Sequence, residues 1–328
     1  MTAVAPRASW RDAYDTQLDM VRWIESDNGQ LWMSIKLQLE GAEYEPRTRD
    51  MMAGLFKSIP SQLRSGDPYF VSREMCRLVE AAAETFEPEA IYPTDVLSLV
   101  GFLYFEQPFQ VPDRFDRPVT IKAIGWQPAM ANNDLNPDRV LTREDELVEW
   151  LEERHAKGLI DGLVMTIYSE PNPEHWPAGH MPPLEPLHIT PWWWGMSFEG
   201  NEVTEGGTPT GAEWWWKIVQ TTFRLMQQHI TVRHSERPLR PQRRDAKRIN
   251  VPERDVVVVT LRRERSKGQH DEPMSEAHYD HRFIVGGHWR NQWYPSARTH
   301  RQIWIAPYEK GPEGAPLIIK PRAYAWTR

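Results

Sequence analysis

Cysteine is almost missing from this chain, since Cys76 is the only one in 328 residues. A disulfide framework is therefore excluded, and so is a site built on paired thiolates. No stretch approaches the roughly 18 consecutive apolar residues of a membrane span. Residues 1–11 lack the basic-then-apolar order of a secretory leader, so a cytoplasmic protein with no membrane partner is expected. Phosphate loops of the form G-x-x-x-x-G-K-[ST], dinucleotide fingerprints G-x-G-x-x-G and nucleophile turns G-x-S-x-G are all absent. Nucleotide-driven motors and Rossmann oxidoreductases drop out with them, and no cofactor is expected. Internal repeats and low-complexity tails are missing as well.

What is present is tryptophan, 16 residues of it, and a separation of charge that the net value of -7 conceals. Residues 231–328 hold 20 Lys and Arg against 11 Asp and Glu, a net +9, and the 19 against 35 that remain upstream give -16. Such asymmetry fits a polyanion-binding region, or two parts of one chain that neutralise each other. At roughly 100 to 200 residues per domain the length predicts two units. The Gly-, Thr- and Pro-rich segment 200–211 places the division, giving an acidic mixed region at 1–205 and a basic region at 206–328.

Apolar residues recur every three or four positions over 12–25, which predicts a helix ended by Asp27, Asn28 and Gly29. Leu31, Met33, Ile35, Leu37 and Leu39 alternate, as on a half-buried strand. Helices are predicted at 48–63, 72–86, 142–158, 212–230 and 240–248. Strands are predicted at 98–105, 119–126, 163–168, 255–263, 278–290, 300–306 and 316–326. Seven prolines between Pro171 and Pro191 predict a long irregular loop. Helices followed by strands make the fold class α+β, with a mainly antiparallel C-terminal sheet. Val71, Met75 and Val79 surround Cys76 at helical spacing, so its thiol is expected in the core.

Seven of the eleven histidines lie between His229 and His300, among arginines and tryptophans. On a strand over 278–290, alternation sends Phe283, Val285 and Trp289 to one face and Arg282, His288 and Arg290 to the other. A group titrating near neutrality beside fixed positive charge is what phosphodiester chemistry uses, with His288 moving the proton and Arg290 clamping phosphate. The same face also reads as a solvated surface, or as a binding surface without chemistry, and Gly286-Gly287 can bulge and change the parity. His278 and His281 share a face only on a helix, so on a strand no metal site is expected. Arg243, Arg244, Arg248, Arg262 and Arg263 belong to the densest basic stretch, suited to phosphates or to packing on the acidic part. The triplets 192–194 and 214–216 of tryptophan suit core or interdomain packing.

A longer pattern runs through the C-terminal part: His278, His281 and Arg282; Gly287-His288-Trp289-Arg290, Gln292-Trp293-Tyr294-Pro295-Ser296; His300-Arg301, Ile303-Trp304-Ile305-Ala306-Pro307-Tyr308; and Lys310-Gly311-Pro312-Glu313. It resembles an uncharacterised family of actinobacterial and actinophage proteins, as does the upstream Leu225-Met226-Gln227-Gln228. The resemblance implies a phage or mobile-element origin and supplies no mechanism. In element order alone, 212–328 also resembles the small metal-independent ribonuclease toxins of the RelE and ParE type.

The sequence therefore points to a regulatory protein that binds nucleic acid, RNA or a nucleoprotein, with metal-independent ribonuclease chemistry as an extension. Its candidate surface holds His278, Arg282, His288, Arg290, Tyr294 and Arg301 together with the basic stretch. The competing reading is a protein-interaction module, or an inhibitor of a host or phage complex, that docks through exposed aromatic residues.

Overall fold

The computed structural model describes residues 8–41, 46–87, 91–92, 95–112, 118–130, 160–177, 179–193, 212–262, 282–285, 287–294, 299–305, 308–310 and 312. Three helices come first, α1 (Trp10–Glu25), α2 (Asp27–Gly41) and α3 (Pro46–Ser65). β1 (Asp67–Val71), α4 (Arg73–Ala83), β2 (Gly101–Pro112), β3 (Pro118–Met130), β4 (Ile160–Ser169) and β5 (Glu185–Trp193) follow. After them come α5 (Ala212–Met226), β6 (Thr231–Glu236), α6 (Arg240–Arg248) and β7 (Val256–Leu261). The last four strands are β8 (Phe283–Val285), β9 (His288–Tyr294), β10 (Thr299–Ile305) and β11 (Tyr308–Lys310). The fold is α+β.

Seven strands form one mixed sheet in the order β5-β4-β3-β2-β1-β7-β6. β2 to β5 are an antiparallel meander, whereas β1 runs parallel to β2 on one side and to β7 on the other. The parallel β1-α4-β2 crossover is what carries α4 over the sheet. β6 and β7, from beyond residue 205, thus hydrogen-bond into the sheet that the earlier strands begin.

Alternation along the central strands divides the core in two. Tyr69, Val71, Leu103, Phe105, Ile124, Trp126 and Met165 meet α4 and α5 on one face. Phe70, Phe102, Tyr104, Ala123, Val164 and Tyr168 meet α1, α2, α3 and α6 on the other. The first face centres on Trp126, fully buried, whose indole N–H donates to the Ser98 carbonyl at 2.8 Å and whose ring meets Phe223 edge-on at 5.0 Å. Gly101 is required beside it, because a β-carbon there would overlap the indole. Arg224 of α5 ties itself to Asp95 at 2.6 Å, a pair that is mostly out of solvent.

Two expected elements differ. The alternating segment 31–39 lies in helix α2, and its apolar residues do not share one buried face: Leu31 is 61% and Ile35 45% exposed, while Trp32 and Met33 are buried. Asp27, Asn28 and Gly29 open this helix instead of only closing α1, since the Ser26 hydroxyl accepts from Gly29 N–H at 3.3 Å. Residues that favour turns also favour helix starts, for the same hydrogen-bonding reason. The proline-rich segment ends in a strand, β5, which carries Pro186 and Pro191. As the outermost strand of the sheet it pairs only with β4, so the missing N–H groups cost it little. The expected helix at 142–158 and strand at 316–326 lie outside the described residues.

Cys76 is fully buried on α4, as its spacing implied, and burial pushes its thiol up from 9.0 to about 12. Burial likewise pushes the Tyr14 and Tyr104 phenols from 10.0 to about 12. Each raised group favours its protonated form in the fold, so its stability contribution is intact below the unfolded value and falls as pH rises through the window. Alkaline titration is therefore expected to lower the denaturation midpoint progressively between about pH 9 and 12. A midpoint that stays constant across that range would contradict the buried placement of all three.

Candidate nucleic-acid interface

The basic stretch folds into α6, and its sequence decides which side faces inward. Gln242 and Ala246, four apart, are its buried residues. The Gln242 amide donates to the Arg11 carbonyl at 3.1 Å and to the Asp15 carboxylate at 2.9 Å, both on α1. Burial, ahead of that hydrogen bond, holds the Asp15 carboxyl above its ordinary range. Asp245, the one acid of α6, pairs with Arg22 of α1.

With those residues turned to α1, the cations face out. Arg240, Arg244, Lys247 and Arg248 are exposed, at spacings of four, seven and eight that define one stripe along a helix. Arg248 reaches Asp245 at 2.7 Å. Among the described residues Arg240, Arg244 and Lys247 form no ion pair. Arg243 is tied between Glu253 at 3.2 Å and the Pro238 carbonyl at 2.8 Å. Arg262 follows the far end of β7 from α6, exposed, with its N–H on the Ile230 carbonyl at 2.8 Å. Arg263 and His278 lie outside the described residues.

The histidine-rich segment is not one strand. β8 pairs with β11 and β9 pairs with β10, so β8 and β9, which end and begin at Val285 and His288, have different partners. In the β9/β10 hairpin Trp289 stands opposite Trp304 and Trp293 opposite His300. Trp304 is buried, and Trp289 meets it at 5.4 Å and Phe86 at 5.2 Å. The Trp289 indole donates to the Ala82 carbonyl at the end of α4 at 3.1 Å, and Trp304 N–H to the Gln228 side chain at 3.0 Å. Two tryptophans thus fasten the hairpin to the α4/α5 layer.

His288, Arg290 and Tyr294 alternate with those tryptophans, and all three are exposed. His288 stands opposite Ile305, Arg290 opposite Ile303, and the Arg290 guanidinium donates to the Gln292 side chain at 2.6 Å. Arg301 pairs in register with Gln292. Arg282 precedes β8 and is half-buried. At the far end of the hairpin Trp293 is 44% exposed and stacks obliquely on His300 at 4.8 Å, and Tyr294 is 38% exposed; Tyr308, 45% exposed, lies on β11 opposite Val285.

The structure therefore brings His288, Arg290 and Tyr294 together on β9, and Arg243, Arg244 and Arg248 together on α6, but not the two groups with each other. The hairpin tryptophans pack into the core on one face of the sheet, and Ala246 of α6 packs into the core on the opposite face. No sequence signal marks that separation. Arg240 and Lys247 complete the α6 stripe, although nothing in the basic stretch distinguishes them until the buried side of the helix is known. A helical-wheel reading around Gln242 and Ala246 finds them.

No protein-family model matches the chain, and no curated protein matches it. Among solved structures, a crystal structure of AcrVA2 matches with a TM-score of 0.38 and 14% identity, over 91% of this chain and 95% of that one.

Replacing Trp304 by alanine removes both its own burial and the support of Trp289. A drop of about 3–5 kcal/mol is expected in urea unfolding. Unchanged stability would show that the hairpin is not fastened there.

Proposed function

We propose that the protein acts by binding, and that its ligand is a nucleic acid, RNA in the first instance, held along the outward face of α6. The observation that carries this reading is the one-sided charge of the helix. Its neutral, small and acidic positions meet α1, and four cations are left in a row facing solvent. Helix-borne arginines in that arrangement suit phosphates spaced along a strand and read no bases. The phage or mobile-element origin implied by the C-terminal pattern belongs to the same proposal.

Binding without turnover is the form we favour. Cations spaced along a helix position phosphates, and α6 carries no side chain titrating near neutrality that could move a proton. The competing reading, docking on a protein complex, is favoured by one feature, the exposed Trp293 and Tyr294 at the outer end of the hairpin. Rigid aromatic side chains are the common anchors of protein interfaces.

The two readings separate by salt. Fluorescence anisotropy with single-stranded RNA should show affinity falling steeply with added salt. The pair Arg240→Gln and Arg244→Gln together should flatten the logarithmic slope by about 1.4, or about 0.7 for each phosphate that is no longer neutralised. An unchanged slope in that variant rejects the α6 surface. Binding to a protein partner that ignores salt and disappears in Trp293→Ala decides for the hairpin.

A further inference from the structure

Beside the α6 stripe the surface opens into a cavity of about 430 Å³, between the end of α3 and the end of α6 with the turn after it. Arg64, Ser65, Arg243, Lys247, Asn250 and Glu253 supply its polar lining, and Val251 and Pro252 an apolar wall. Two helix C-termini meet here, which by itself would repel an anion, because their last carbonyls are unsatisfied. Arg64 cancels much of that. It donates to the Ile249 and Asn250 carbonyls and is clamped from behind by Glu25. Asn250 holds the turn at φ 56, a left-handed conformation that asparagine tolerates.

The charges in the lining do not balance. Arg64 is matched by Glu25, and Arg243 and Arg237 share Glu253 at 3.2 Å each, so among the described residues the Lys247 ammonium is left unmatched. The hydrogen bonds do not balance either. Among the described residues the Lys247 ammonium, the Ser65 hydroxyl and the Asn250 carboxamide enter no hydrogen bond or ion pair. Ser65 is buried nonetheless, at 8% exposure, in a wall of this cavity. Fixed guanidiniums, a free ammonium and an unused hydroxyl around one concavity are the donor set of a phosphate site.

We propose that this cavity binds a phosphomonoester, with the phosphate against Lys247, Ser65 and Arg243 and the attached group along Val251 and Pro252. The volume decides against inorganic phosphate alone, since cavities of this size accommodate a small organic ligand. A nucleotide in solution and the 5′-phosphate at the end of a nucleic-acid strand offer the same chemistry. This inference goes beyond the binding proposed for α6 and does not depend on it.

Titration calorimetry with AMP, adenosine and a short oligonucleotide bearing either a 5′-phosphate or a 5′-hydroxyl tests it. AMP should bind at least about tenfold more tightly than adenosine, and Lys247→Gln should weaken AMP about tenfold, as expected when one charged hydrogen bond is removed. Lys247 is exposed, so this variant keeps the fold, and Ser65→Ala should weaken AMP in the same direction. A preference for the phosphorylated oligonucleotide over the hydroxyl form identifies strand ends as the source, and equal binding of the two beside tight AMP identifies the free nucleotide. AMP binding no tighter than adenosine, or unaffected by Lys247→Gln, overturns the proposal. Loss of RNA affinity for α6 with AMP binding retained would sink only the α6 reading.

Discussion

β1 has a hydrogen-bonded neighbour along both edges and a helical layer against both faces. Pro68, Tyr69, Phe70 and Val71 are all buried, and Tyr69 and Val71 face one core while Phe70 faces the other. A strand in that position tolerates no polar outward face, because there is no outward face. β7 joins the sheet by running parallel beside it, which draws the C-terminal part of the chain onto the frame built by the N-terminal part. α4 must cross one face to bring β2 alongside, and α1, α3 and α6 close the other. Everything that bears on function inherits its side of the molecule from this strand.

The charge asymmetry is resolved in an unexpected way. Contact between the acidic and basic parts does occur, and only some of the bonds follow the bulk sign of each part. Arg22 from the acidic part holds Asp245 from the basic part, Arg64 holds Glu25 within the acidic part, and Arg254 reaches back to Asp67. Partly exposed pairs of this kind contribute little stability each. Their effect is positional. They consume the acids of the interface and leave the cations of α6 turned outward, so association of the two parts sharpens the basic surface instead of neutralising it.

Several elements are legible in the sequence because one physical signal dominates. The period of α1, the helical spacing of Val71, Met75 and Val79 around Cys76 in α4 and the continuous apolar run of β4 all correspond to what forms. α2 is not legible as a helix, because Leu31 and Ile35 take part in the alternation although both are exposed, and it is Trp32, between Leu31 and Met33, that packs against Trp23 and Phe56. In the hairpin, parity alone places Trp289 on the opposite side from His288 and Arg290. The change between β8 and β9 is larger than the bulge that two glycines suggest, because the two strands have different partners.

By itself the sequence determined the fold class, the buried thiol, the basic character of 240–248 and the alternation around His288, since each depends on spacing within a few residues. Tertiary structure alone decided that the basic helix and the aromatic hairpin lie across a sheet from one another. It alone decided, too, that Arg64, from the end of α3, joins Arg243 and Lys247 around one cavity. The reason is geometric. Periodicity tells which residues of an element share a face, but which face of the sheet that element covers is set by crossovers and strand order, and these are properties of the whole chain.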